Sequence, residues 1–311
     1  MTRSPHVVRT VERAREELTA SIDTPGLQEA SALLRSHGCP SAETMLDLHL
    51  AGAGGVSPIT TLLAKHPGLA GTDEIPLERF LLAETARAAL DRIASLPVID
   101  SVRQLLLDEM CLYASPDARR RPMLHRDTES FRAACEVVRL RRFPAGQYHW
   151  DVSGFSRKHL RHVSIRDLPG FLLFLARRMK GRGPAFFPHV NGFRRNPYVW
   201  LEAESNRSLH RMATSLALQP AIVGLVTRAW LHDPWLGETS PHLAWINRVF
   251  VENGGLVVAN GPAGTDAGFL ANNAARQKSF EEGSYRPQYG IVLWPRAAML
   301  EWAARSPEFA S

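Results

Sequence analysis

Residues 136–153 read EVVRLRRFPAGQYHWDVS, and the change of texture at this stretch governs how the rest of the chain is read. The alternation in Glu136–Phe143 predicts a strand, and Tyr148–Ser153 predicts a second. Between them Pro144, Ala145 and Gly146 supply turn chemistry. Upstream the periodicity is helical. VERAREELTASI, TDEIPLERFLLAETARAALDRIASL and DSVRQLLLDEMCLYA place apolar residues three, four and seven apart. In the second segment Ile75, Leu82, Ala86, Ala89, Ile93 and Leu96 form one stripe, while Leu77, Phe80 and Leu81 fall opposite, so its first turns are expected to be buried on two faces. Thr72 or Asp73 is the expected cap. The stretch from Leu48 to Thr72 carries glycine and proline punctuation and reads as loops around short helical turns.

Downstream, helices alternate with strands. Helices are expected at DLPGFLLFLARRMKG, SNRSLHRMATSLALQ, DAGFLANNAARQKSFEEG and RAAMLEWAAR, and strands at AFFPHV, AIVGLVTRAWL, GLVVAN and QYGIVLWP. HLAWINRVFV fits either. The expected class is α+β: a mostly helical N-terminal region over 1–130, then an α/β domain with a mixed sheet over 131–311 that carries the active site.

Composition narrows the function. The 311 residues are 45% apolar and 22% charged, which excludes wholesale disorder. No apolar run approaches the roughly 18 residues that cross a bilayer. MTRSPHVVRTVERAREEL lacks the apolar stretch of a secretory signal. Cys39, Cys111 and Cys135 are few and show no CxxC spacing, so free thiols and a cytoplasmic setting are expected. The net charge of +6 comes with only four lysines, and arginines cluster at 119–121, 139–142, 177–182 and 194–195. The arginine fork suits phosphate or carboxylate. No nucleic-acid-binding motif accompanies it, so the expected partner is a small-molecule or amino-acid-like substrate. No phosphate loop, kinase loop or serine-hydrolase elbow is present.

His149 and Asp151 stand two apart on an expected strand, so both side chains point to one face and could reach one metal. With His189 or His210 as third ligand they would make a two-histidine, one-carboxylate site. In that respect RLRRFPAGQYHWDV resembles the first metal strand of 2-oxoglutarate-dependent oxygenases, which implies Fe(II) and 2-oxoglutarate, with Arg194 or Arg195 as the dicarboxylate clamp.

The segment Asn273–Tyr285, NAARQKSFEEGSY, resembles the N-x-x-A-x-x-x-Y-E-K-x-G-F signature of the GNAT-type acetyltransferase superfamily. It keeps the seven-residue interval from Asn273, the acidic residue after the aromatic one and an aromatic opening to the next strand. Phe280 stands in place of the tyrosine, Arg276 in place of the alanine, and Gly283 comes one place early. The element order over 136–295 is similar too. The resemblance implies a GNAT-like sheet domain and an acyltransferase that moves an acyl group from acyl-CoA, or from a carrier protein, to an amine. It implies Asn273 facing the acyl-CoA. The glycine-rich turn that holds the pyrophosphate in that family is absent after AFFPHV, and Arg194, Arg195 and Arg207 are the candidates to replace it. For proton transfer the candidates are His189, Glu202 or Glu204 as base and Tyr285 or Tyr289 as acid. The expected function is therefore GNAT-like acyl transfer, against a non-haem iron oxygenase at His149 and Asp151 and a non-enzymatic interaction protein.

Overall fold

A computed structural model describes residues 8–52, 58–65, 76–115, 124–125, 128–191, 201–263 and 274–310. The chain divides into two compact units, Met1–Pro144 with Asn191–Pro197, and Ala145–Val190 with Tyr198–Ser311.

The first unit is helical. Its helices are α1 Val11–Ile22, α2 Pro25–Ser36, α3 Ala42–Ala51, α4 Pro58–Lys65, α5 Pro76–Ile93, α6 Asp100–Ala114 and α7 Glu129–Val138. Side chains cap several of them: Thr10 accepts from Arg13 N, and Ser41 from Thr44 N. These bonds satisfy N–H groups that a first turn leaves open. α5 is the central helix. Leu77, Phe80 and Leu81 are buried along with Ala86, Ala89 and Ile93, as the two-sided pattern anticipates. Thr72 and Asp73 lie outside the described residues.

The expected strand Glu136–Phe143 is corrected. Residues 136–138 belong to α7, whose cap Thr128 accepts from Phe131 N at 3.0 Å. The helix stops because Leu140 takes a left-handed φ of 56°. The Arg141 N–H then reaches back to Glu136 O at 2.8 Å, a closing bond that ends helices rather than strands. Only Arg142–Pro144 are extended, as β1.

The second unit runs β2 Tyr148–Gly154, α8 Leu168–Arg177, β3 Pro184–Val190, α9 Glu202–Ala217, β4 Gly224–Ala229, α10 Leu236–Thr239, α11 Trp245–Glu252, β5 Leu256–Pro262, α12 Ala274–Glu281, β6 Gln288–Pro295 and α13 Arg296–Arg305. The protein is of mixed α+β class, and the strands of this unit run in the order β2-β3-β4-β6-β5. β3 and β4 are parallel; the pairs β2–β3, β4–β6 and β5–β6 are antiparallel.

Alternation along the strands sends side chains to two faces. One face packs Ala185, Val226, Ile291 and Leu293 against Phe171 and Leu175 of α8. On the other, Trp150 meets Phe186 at 5.5 Å and Trp294 meets Trp302 of α13 at 5.2 Å. No helix among the described residues is long and apolar enough to cross a membrane.

Gly290 sits where β6 passes the 3₁₀ turn Trp230–His232, and a Cβ there would run into the carbonyl group of His232. Backbone cannot yield as a flexible side chain does. Gly290→Ala is therefore expected to lower stability by about 3 kcal/mol, the upper part of the usual range for overpacking, as read by chemical denaturation.

Candidate active site

The crossover β3–α9–β4 shapes the site. β3 is paired to β2 along its whole length, from Pro184 to Val190, and β4 to β6 from Gly224 to Ala229. Between β3 and β4 the register holds one pair, Phe186↔Leu225, preceded by a bond from Val223 N to Pro184 O at 2.9 Å. Beyond that pair, Phe187–Val190 and Val226–Ala229 have no mutual ladder. The carboxyl ends of the parallel strands thus form an open fork. Crevices at such ends are where open α/β sheets take ligands.

On the β3 side lies a histidine–carboxylate pair. In the antiparallel register His149 stands opposite His189, and Asp151 opposite Phe187, so His149, Asp151 and His189 share one face. His189 Nε2 lies 2.7 Å from Asp151 Oδ2, and the two side chains are 29% and 28% exposed, which leaves them reachable from solvent. A carboxylate accepting from Nε2–H leaves the lone pair on Nδ1. His149 is buried at 1% exposure.

This arrangement gives the iron reading no support. Asp151 turns its oxygen to His189 itself, so the two do not converge on a common point. Among the described residues no group of three histidine, cysteine, aspartate or glutamate side chains is placed to hold a metal ion. The strands also alternate with helices rather than forming a double-stranded β-helix.

On the β4 side stands Arg228, on the same face as Val226. Its guanidinium lies 3.9 Å over the ring of Tyr289, and its Nε donates to Asn260 Oδ1 at 2.6 Å. Burial lowers its pKa, an effect the neighbouring Tyr289 opposes. In the sequence Arg228 shows only as a charge inside an otherwise apolar strand. Asp233 is a second feature missed. It is fully buried and accepts from Tyr285 Oη at 2.6 Å, Gln288 N at 3.0 Å and Trp235 N at 3.0 Å.

The remaining expected residues are scattered. Burial, then the bond to Asp233, pushes the Tyr285 hydroxyl well above the usual phenol range, so it keeps its proton and ties the chain before β6 to Asp233. Glu202 accepts from Arg248 at 3.0 Å beside a cavity of about 350 Å³ that Trp302 also lines. Glu204 pairs with Arg207 one turn later on α9. Arg194, Arg195 and Asn273 lie outside the described residues. Burial raises the Cys135 thiol strongly and pushes Cys111 up to about 12, which keeps both protonated and poor as nucleophiles.

No family profile matches the chain, and no curated protein matches it in sequence. Solved structures do resemble it. An acyltransferase in complex with decanoyl-CoA aligns with a TM-score of 0.50 at 15% identity, over 94% of this chain and 91% of that one. An acyltransferase in complex with CoA and 10C-teicoplanin aligns over the same shares at a TM-score of 0.47 and 14% identity. The first of these likenesses shows a shared fold.

His232, at the exit of β4, gives a pH prediction. Asn247 Nδ2 donates to Asp233 O, so its Oδ1 accepts from His232 Nδ1–H at 3.1 Å and the ring is neutral. Burial, against that bond, holds the His232 pKa down to about 4 from 6.5. The unfolded chain binds this proton first, so the contribution is intact above about pH 6.5 and lost as pH falls toward 4. The total is about 3 kcal/mol. Denaturant titrations across this window should show that slope, and His232→Gln should flatten it.

Proposed function

We propose that the protein is a GNAT-like acyltransferase that moves an acyl group from acyl-CoA, or from a carrier-bound thioester, to an amine. The observation that carries this reading is the Asp151–His189 pair flanking an open fork between parallel strands. The fold shared with an acyltransferase that binds decanoyl-CoA supports it.

The unpaired edges of β3 and β4 offer N–H and C=O groups in extended geometry. An amide-bearing arm, such as the one that carries the CoA thiol, can add to such an edge as a strand does. Arg194, Arg195 and Arg207 are the proposed phosphate ligands, and Asn273 the residue facing the acyl donor.

In the reaction the amine nitrogen attacks the thioester carbonyl. A C–N bond forms, the C–S bond breaks, and one amine proton must leave. His189 Nδ1 takes that proton and returns it to the departing thiolate, so the products are an amide and a free thiol. Asp151 fixes the ring orientation and steadies the imidazolium that forms, a division of labour familiar from histidine–carboxylate pairs. Glu202 and Glu204 are less suited as base, since each is engaged by an arginine. Tyr285 is less suited as acid, because its proton is held by Asp233; Tyr289 remains the tyrosine at the fork.

Calorimetric titration with decanoyl-CoA should show saturable binding. With an amine acceptor, thiol release should fall about 10²–10⁴-fold in His189→Ala, the usual contribution of a general base. Asp151→Asn should reduce it in the same direction while leaving donor affinity unchanged. Absence of decanoyl-CoA binding, or undiminished thiol release from His189→Ala, would overturn the proposal.

A further inference from the structure

Arg228 stands on the sheet face that carries His189, and the 3₁₀ turn that holds His159 and His162 is tied to it through Asn260. Arg228 is held rigidly. Asn260, fully buried, accepts its Nε through Oδ1 and its Nη2 through the backbone carbonyl at 3.0 Å. Tyr289 lies beneath its plane. Asn260 also donates from Nδ2 to His159 O at 2.7 Å, which ties the 3₁₀ turn Arg157–His162 to the same point. His162 packs its ring against Gly261, where φ is +83° and a Cβ would lie 3.2 Å from the histidine Cβ. His159 stands edge-on to Phe155 with Nδ1 buried and without a hydrogen-bond partner. Burial lowers its pKa, and Arg228 and His162 lower it further.

Among the described residues the cluster lacks an anion. No carboxylate among the described residues forms an ion pair with Arg228, and its Nη1 donates to none of them. A partly desolvated arginine held by an asparagine and a ring, with two histidines beside it, has the donors that a planar oxyanion needs. Its position is also specific. Continuing the register of Phe186↔Leu225 by three residues brings His189 level with Arg228, one on each arm of the fork and both on one face.

We propose that Arg228, His159 and His162 bind an anionic group, a carboxylate or a phosphate, carried by the acceptor whose amine is presented to His189. The anion site stands on its own geometry; the identity of its occupant as the acceptor rests on the acyltransferase reading. It assigns to that enzyme an amine substrate of amino-acid-like or phosphorylated character, anchored at Arg228 and acylated at the other arm.

The test uses phenylacetate, phenyl phosphate and neutral phenylacetamide, followed through the His159 and His162 ring signals by NMR. At least one anion should shift these signals saturably, with the amide at least tenfold weaker; which anion binds distinguishes a carboxylate from a phosphate. Arg228→Gln should abolish the preference, and Arg228→Lys should restore part of it, since charge survives without the fork. Because Arg228 anchors Asn260, His159→Gln serves as a second variant and should weaken anion binding without loss of fold. Equal binding of acid and amide, or anion binding unchanged in both variants, overturns the proposal. So does a tenfold loss of decanoyl-CoA affinity in His159→Gln, which would give the cluster to the donor's phosphates. Anion binding without decanoyl-CoA binding would instead sink the acyl-transfer reading and leave the anion site standing.

Discussion

Backbone N–H and C=O groups on a strand edge must find partners, and β3 and β4 deny one another most of theirs. Each is zipped along its length to a different antiparallel neighbour, β2 in one case and β6 in the other. Across the parallel pair only Phe186 and Leu225 are in register, after the bond from Val223 N to Pro184 O, and the two antiparallel halves of the sheet share no ladder beyond them. A buried donor or acceptor left unmade costs about 1–3 kcal/mol, so the fork persists only where water or a ligand supplies the missing bonds.

The side chains at the fork are fixed by polar bonds rather than by apolar packing alone. Asp151 orients His189 on one arm; Asn260 and Tyr289 orient Arg228 on the other. Asp233 does comparable work at the exit of β4, gathering the Tyr285 hydroxyl and two backbone N–H groups onto a single buried carboxylate. A buried ionised group of this kind is tolerable only when its lone pairs are used, and these bonds in turn hold the start of β6 beside the end of β4. Glycine at 290 is the backbone counterpart, because β6 could not come so near the His232 carbonyl with any side chain in the way.

Much of the architecture was legible locally. α1, α6, β6 and α13 begin and end where the periodicity places them, since caps, proline and glycine act over three or four residues. The stretch 136–141 was not. Its apolar residues satisfy strand alternation and helix spacing alike, and the outcome follows from the Thr128 cap, the burial of Val137 and Val138, and the left-handed Leu140. His149 and Asp151 were correctly placed on one strand face. That they do not converge with a third ligand depends on β3, whose His189 comes from 38 residues away and pairs with Asp151 instead.

By itself, then, the sequence determined the α+β class, most elements of the sheet region, and the presence of His189, Asp151 and several arginine clusters. These are matters of composition and short-range periodicity. Only the tertiary structure decided that Asp151 serves His189, that Arg228 rather than a carboxylate-paired arginine faces the fork, and that β3 and β4 part after one pair. Such outcomes are set by contacts between strands distant in the chain, and no local spacing encodes which edge a strand will leave open.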